Sequence, residues 1–142
     1  MLLRKKIWAI YDKFKEIFNY IIVGAFTTIV SLVSYFIFSR ILNIDITIYF
    51  VVANTLSWIL SVLFAYITNK MFVFESKTKG NETFKEMIKF VSSRILTYLI
   101  DLALMLVFVK LIHLNNDISK LIVQFVVLVL NYILSKLLVF RK

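Results

Sequence analysis

The chain has 142 residues, of which 61% are hydrophobic, with 2 Gly, no Pro and no Cys, and a mean hydropathy of +0.90. A water-soluble domain of this length needs far more polar surface to cover its core, and the lack of Cys excludes a disulfide framework or a thiolate metal site. A formal net charge of +9 would suggest nucleic acid in a soluble protein; here no nucleic-acid partner is expected, because the charge follows membrane topology.

Residues 1–19 read as an interfacial amphipathic helix. Ile7, Ile10, Tyr11, Phe14, Ile17 and Phe18 share one face, and Trp8 suits headgroup depth. Lys13, Lys15 and Glu16 interrupt the apolar run that a signal peptide needs. A first span is expected at about 20–39, where Gly24, Thr27, Thr28, Ser31 and Ser34 favour close helix packing. Arg40 and the short connection Asn43-Ile-Asp-Ile-Thr47 lead to a second span at about 48–68, which makes an antiparallel hairpin. Residues 75–89 are expected as a cytoplasmic loop with an amphipathic helix of its own. In it, Thr83-Phe-Lys-Glu86 matches a capping box and Phe84, Met87, Ile88 and Val91 form an apolar face. Spans three and four follow at about 90–112 and 118–138, joined by His113-Leu-Asn-Asn-Asp117.

The chain repeats itself. Phe64-Ala-Tyr-Ile-Thr-Asn-Lys-Met-Phe-Val-Phe74 returns as Leu130-Asn-Tyr-Ile-Leu-Ser-Lys-Leu-Leu-Val-Phe140, and Phe14-Lys15-Glu16 returns as Phe84-Lys85-Glu86. Fourteen of the seventeen basic residues lie before span one, between spans two and three, or after span four; Arg40, Lys110 and Lys120 are the others. The positive-inside rule then puts both termini and the middle loop in the cytoplasm. The expected fold is an all-α membrane protein, a single domain over 1–142. Its four transmembrane helices form two parallel-repeat hairpins, N-in and C-in, each hairpin preceded by an interfacial helix.

Enzyme chemistry is not expected. There is one His, His113, in an outer turn, with no metal-ligand spacing, no phosphate loop and no nucleophile–base pair. Polar residues inside the spans stand out instead, since ionisable groups there cost a few kcal/mol unless they meet a cavity or a partner. Arg94, Thr97 and Asp101 share one face of span three, and Lys120, Gln124 and Asn131 share one face of span four. With Asn69 at the end of span two, these groups suit a phosphate joined to a polar head such as a sugar. Each has a structural alternative. Arg94 and Lys120 can snorkel, Asp101 can pair with Arg94 or a span-four amide, and Asn69 and Asn131 can tie helices together.

The Gly24…Thr27-Thr28 pattern, the Asn69-Lys70-x-Phe72-Val73-Phe74 ending and the duplication resemble the GtrA-like family of small four-span membrane proteins. The likeness is nearest to its GtcA-type branch, associated with glycosylation of wall teichoic acid in Gram-positive bacteria. The resemblance implies transfer of a polyprenyl-phosphate-linked sugar across the cytoplasmic membrane, for use by a separate membrane glycosyltransferase. It carries the family motif onto Gly24, Ala65, Asn69, Val73, Phe74, Phe90, Arg94, Lys120 and Asn131, with Thr97 and Asp101 beside them. The second half departs from it, with Ser135 at the repeat position of Asn69. A non-transporting partner of a glycosyltransferase, or a proton-coupled exporter using Asp101, would be the alternatives. No cofactor or metal is expected, and a homo-oligomer is, because four spans enclose little volume.

Overall fold

Nothing in the first forty residues breaks a helix: there is no proline, and the single Gly24 costs only about 1 kcal/mol relative to alanine. In the computed structural model, which describes residues 1–43 and 45–141 and only the backbone of Asn116, helix α1 accordingly runs unbroken from Leu2 to Ile41. Ile44 of the outer connection and the basic Lys142 lie outside the described residues. The amphipathic segment and the first span are thus one helix of 40 residues. It is about 60 Å long at 1.5 Å per residue, twice the thickness of a hydrocarbon core.

Three further helices follow among the described residues: α2 (Thr47–Thr68), α3 (Asn81–Leu106) and α4 (Asn116–Leu134). Each continues into a wider π turn, at Asn69–Val73, Val107–Leu111 and Ser135–Val139. These turns close with bonds five residues back, from Phe74 to Asn69, from Ile112 to Val107 and from Phe140 to Ser135. The chain divides into two compact units, Met1–Ser76 and Lys77–Lys142, each containing one helical hairpin.

In the first unit, α2 buries Ala53, Ser57, Ser61 and Ala65, and Asn69 continues the row. A side chain every fourth residue makes one ridge along a helix, and small ones let two backbones approach. The buried residues of α1 are Tyr20, Val23 and Ser34. Gly24 is not used this way: a Cβ placed there would meet nothing within 4 Å. The close approach expected at Gly24 is supplied by the serine and alanine row instead. Hydroxyls entering the helix satisfy themselves on the preceding turn, Thr27 donating to the Val23 carbonyl at 2.8 Å and Ser34 to Val30 at 2.6 Å.

In the second unit, α3 buries Glu86, Phe90, Ser93 and Thr97. Its start corrects the capping-box reading. The cap is Gly80, at φ +61°, so Thr83 and Glu86 lie inside the helix rather than bracketing its first turn. Both turn to Thr78: its hydroxyl donates to the Glu86 carboxylate at 3.1 Å, and Thr83 donates to its carbonyl at 2.9 Å. A glycine in a left-handed conformation starts the helix earlier than the sequence motif implies. At α4, Asn115 accepts from the Asp117 N–H at 2.8 Å, an ordinary side-chain cap.

The surface is apolar and the interior holds hydroxyls. Ile21, Phe26, Ile29, Leu32 and Phe36 are all about half exposed, whereas Ser57, Ser93, Ser119 and Ser135 are buried. Water would not tolerate so large an apolar exterior, but hydrocarbon gains nothing by hiding it. The segments Leu2–Ile41, Thr47–Val73 and Asp117–Val139 are long and apolar enough to cross a membrane. Helix α3 is outside that set, and Glu82, Lys85, Glu86, Lys89, Arg94 and Asp101 lie along it.

Ala53 is completely enclosed, so Ala53→Leu should overpack the row and lower stability by about 1–3 kcal/mol. Ala25→Leu, at an exposed position of α1, should be neutral. Thermal unfolding in detergent micelles, followed by helical circular dichroism, checks both.

Candidate functional site

Helices α3 and α4 run antiparallel, and their facing residues form a ladder of three rungs. At one end Lys120 Nζ lies 3.1 Å from both carboxylate oxygens of Asp101. In the middle the Thr97 hydroxyl donates to Asn131 Oδ1 at 2.7 Å and also lies 3.1 Å from the Arg94 carbonyl. At the other end Phe90 and Phe140 meet with ring centroids 6.0 Å apart, and the Arg94 guanidinium lies 4.5 Å over the Phe90 ring. From Phe90 to Asp101 the ladder covers about 16 Å of helix.

Helical spacing explains the α3 side. Residues 90, 94, 97 and 101 step by four, three and four, which returns each side chain to the same face. Asp101 pairs with Lys120, not with Arg94 or an amide, the two partners left open by the sequence. The Asp101 side chain is 13% exposed and that of Lys120 is 46% exposed. The carboxylate is therefore inside the seam, while the lysine stem reaches it from the edge. An ion pair of this kind lowers the cost of each charge in a low dielectric, although it replaces little of the lost hydration. The Arg94 guanidinium lies over an aromatic ring, a cation–π contact that offsets part of the cost of its charge.

The first unit places the remaining candidates at the end of α2. Asn69 is 2% exposed; its amide nitrogen donates to the Ala65 carbonyl at 2.6 Å, while Oδ1 is buried with no partner among the described residues. Ser135, at the equivalent start of the π turn in the second unit, is fully buried, and its hydroxyl also has no partner among the described residues. Leaving a buried polar atom unpaired costs about 1–3 kcal/mol, which marks both positions as candidates for a functional role. Ala65, Val73 and Phe74 surround the turn as core residues. Gly24 is on α1, clear of packing contacts, and Gln124 is exposed.

Sequence reasoning passes over Asn19, whose amide donates to the Phe72 carbonyl at 3.1 Å and so satisfies one of the acceptors left open at the end of a helix. An isolated amide just before an apolar run was its only signal. Glu75 and His113 were also passed over as backbone positions. Both adopt positive φ, +48° and +60°, immediately after a π turn. In each case the next N–H reaches six residues back, from Ser76 to Lys70 and from Leu114 to Phe108, both at 2.9 Å. These left-handed residues stop the helices where glycine usually would.

If the Lys120–Asp101 rung is a coupled pair, Asp101→Asn and Lys120→Met should each destabilise by about 1–3 kcal/mol, between the limits for exposed and buried pairs. The double variant should be at least as stable as either single one. Thermal melting of the four proteins in one detergent decides this; strictly additive losses would mean that the two charges act independently.

The GtrA/DPMS transmembrane domain family matches residues 19–140. Among similar proteins, the uncharacterized membrane protein YwcD of Bacillus subtilis strain 168 is 44% identical over 124 residues, 87% of this chain and 94% of its own length. The cell wall teichoic acid glycosylation protein GtcA of Listeria monocytogenes serovar 1/2a is 39% identical over 131 residues, 92% of this chain and 88% of its own. The protein of the same name from Listeria innocua serovar 6a is 37% identical over the same extent. No solved structure matches the chain. With its apolar helices and a family match that covers the ladder and both π-turn ends of the hairpins, this multi-pass membrane protein belongs to the GtrA/DPMS transmembrane domain family.

Proposed function

We propose that the protein moves a polyprenyl-phosphate-linked monosaccharide across the bacterial cytoplasmic membrane, supplying a membrane glycosyltransferase that decorates a surface polymer such as wall teichoic acid. The observation that carries this reading is the polar ladder inside a helix pair whose exterior is apolar. A sugar phosphate cannot shed its water across about 30 Å of hydrocarbon. A seam with a guanidinium edge, an amide, a hydroxyl and an ammonium lowers that barrier while the prenyl chain stays in lipid. The glycosylation named for the Listeria relatives is the outcome that such a step would serve.

In this reading Arg94 takes the phosphate through its planar N–H edge and Lys120 takes it at another depth, exchanging Asp101 for the ligand's oxygens. Thr97 and Asn131 exchange their mutual bond for sugar hydroxyls. In the first unit, Asn69 Oδ1 is an acceptor of the kind that a sugar hydroxyl fills. The protein acts as a non-catalytic carrier, and a homo-oligomer supplies the volume that one chain lacks. The forked bond from Lys120 weighs against an exporter that relies on Asp101 as its proton-carrying carboxylate.

This reading takes four spans with both termini inside, which the distribution of basic residues and the two hairpins support. Helix α3 crosses despite its charges, because Asp101 is paired and Arg94 is stacked. The chain lacks cysteine, so single cysteines report cleanly. Asn43→Cys and Leu114→Cys should react with an impermeant maleimide from outside intact cells, and Lys77→Cys only after permeabilisation. Reaction of Lys77→Cys in intact cells would reject this topology.

Transport is tested in liposomes carrying a short-chain polyprenyl-phosphate monosaccharide. The wild type should expose the sugar on the opposite leaflet, and Arg94→Ala should slow exposure at least tenfold at equal protein content. A folded wild type that moves no lipid would instead make the protein a membrane partner of the glycosyltransferase.

A further inference from the structure

In the first unit, an open groove of about 580 Å³ lies between α1 and the end of α2. Its lining has two chemically distinct zones. Lys15, Asn19, Thr68 and Glu75 gather polar groups around one end, and Ile22, Phe26 and Phe64 make apolar walls beyond them. From Lys15 to Phe26 the groove follows α1 for about 16 Å. Ile22 and Phe26 are themselves about half exposed, so the apolar end opens sideways onto whatever surrounds the helices.

The polar end carries one positive and one negative group. Lys15 Nζ is 4.0 Å from the Glu75 carboxylate, and the two side chains are 51% and 62% exposed. Such a loose, wet pair is easily separated by a ligand. Glu75 is held at the mouth by its left-handed backbone, which few side-chain-bearing residues adopt. Of the neutral groups, the Thr68 hydroxyl donates to the Phe64 carbonyl at 2.7 Å, and Asn19 spends one of its two amide donors on the Phe72 carbonyl. The charged contacts at this end fall to an ammonium and a carboxylate. A bare phosphate monoester would meet Glu75 as a like charge. A phosphodiester esterified to a polyol satisfies both, with a single negative charge for Lys15 and hydroxyl donors for Glu75.

We infer that this groove is a second lipid site, which binds a phosphodiester lipid with a polyol headgroup. The headgroup sits between Lys15 and Glu75, and one hydrocarbon chain leaves along Ile22, Phe26 and Phe64. Because the Lys15 end belongs to the basic N-terminal segment, the site faces the cytoplasmic leaflet; this point rests on the N-in orientation proposed above. A glycosyl phosphoprenol and phosphatidylglycerol share the required chemistry, the first as cargo waiting to be moved and the second as a resident lipid.

Native mass spectrometry of delipidated full-length protein tests the site with four probes: short-chain polyprenyl-phosphate glucose, phosphatidylglycerol, phosphatidic acid and diacylglycerol. The two polyol phosphodiesters should be retained at least fivefold over the other two. Lys15→Gln should remove that preference over diacylglycerol, and Glu75→Gln the preference over phosphatidic acid. Because both positions are more than half exposed, neither variant should disturb folding, which an unchanged melting temperature verifies. In the Arg94→Ala background, which removes the ladder's phosphate contact, stronger Lys15-dependent retention of the glucose lipid than of phosphatidylglycerol assigns the site to cargo, and the reverse assigns it to a resident lipid. Equal retention of all four probes, or variants that bind as the wild type does, overturns the inference. Arg94→Ala separates this site from the transport reading. It should bind lipid at the Lys15 end normally, so a wild type that binds but does not transport defeats only the transport reading. A wild type that transports while binding no polyol lipid at Lys15 defeats only this one.

Discussion

Inside a bilayer no water waits to accept a stray proton donor, and that single constraint organises the chain. Every hydroxyl or charge that enters the helices must find its partner within the protein or face a cost of several kcal/mol. The serines and threonines answer locally by bonding back to the preceding turn, as Thr27, Thr55 and Ser61 do. Asp101 answers across the seam by drawing in Lys120. The same constraint inverts the usual distribution of residues. Among the described residues no leucine or isoleucine is buried, because lipid suits them, and the row Ala53, Ser57, Ser61 and Ala65 lies inside because it lets helices come close.

The π turns are where this solution changes character. Widening a helix by one residue per turn displaces carbonyls from their ordinary partners, and such turns occur often at functional sites. Here the first residue of two of them is a buried polar side chain with an unmatched atom, Asn69 in one hairpin and Ser135 in the other. Beside the first turn, Asn19 reaches across from α1 to hold the Phe72 carbonyl. The ends of the hairpins are therefore less self-sufficient than their middles. Among the described residues, the buried side-chain atoms without a hydrogen-bond partner are both at these ends.

Much of this was legible because hydrophobic runs and helical spacing are properties of neighbouring residues. The steps from Arg94 to Thr97 to Asp101 placed three side chains on one face before any partner was known. Partner choice was not legible: Asp101 had Arg94 close by in sequence, yet it bonds Lys120 nineteen residues away, because only folding sets the depth at which α4 meets α3. The helix starts were also misread where backbone conformation overrides side-chain signals. Thr83 and Glu86 have the spacing of a capping box, but Gly80 can adopt a positive φ and begins the helix first. The groove at Lys15 escaped for a different reason. Its residues come from two segments far apart in the first unit, and nothing in either one signals that the other packs beside it.

The duplication supplies an internal control on what the charges are for. In the register that aligns Phe14-Lys15-Glu16 with Phe84-Lys85-Glu86, the first-half counterparts of Arg94, Thr97 and Asp101 are Gly24, Thr27 and Ser31. In the register that aligns the two aromatic endings, Lys120 and Asn131 correspond to Asn54 and Ala65. At the positions equivalent to the ladder the first hairpin thus carries no charge: Gly24 leaves open space, Thr27 bonds its own helix, and Ala65 packs in the core. A hairpin of this pattern does not need an arginine, a lysine or an aspartate in order to fold. Their cost in the second hairpin, offset only partly by pairing and stacking, is therefore a cost borne for something other than folding. The transport reading proposed above supplies such a purpose, since an anionic headgroup that leaves water needs partners of this kind.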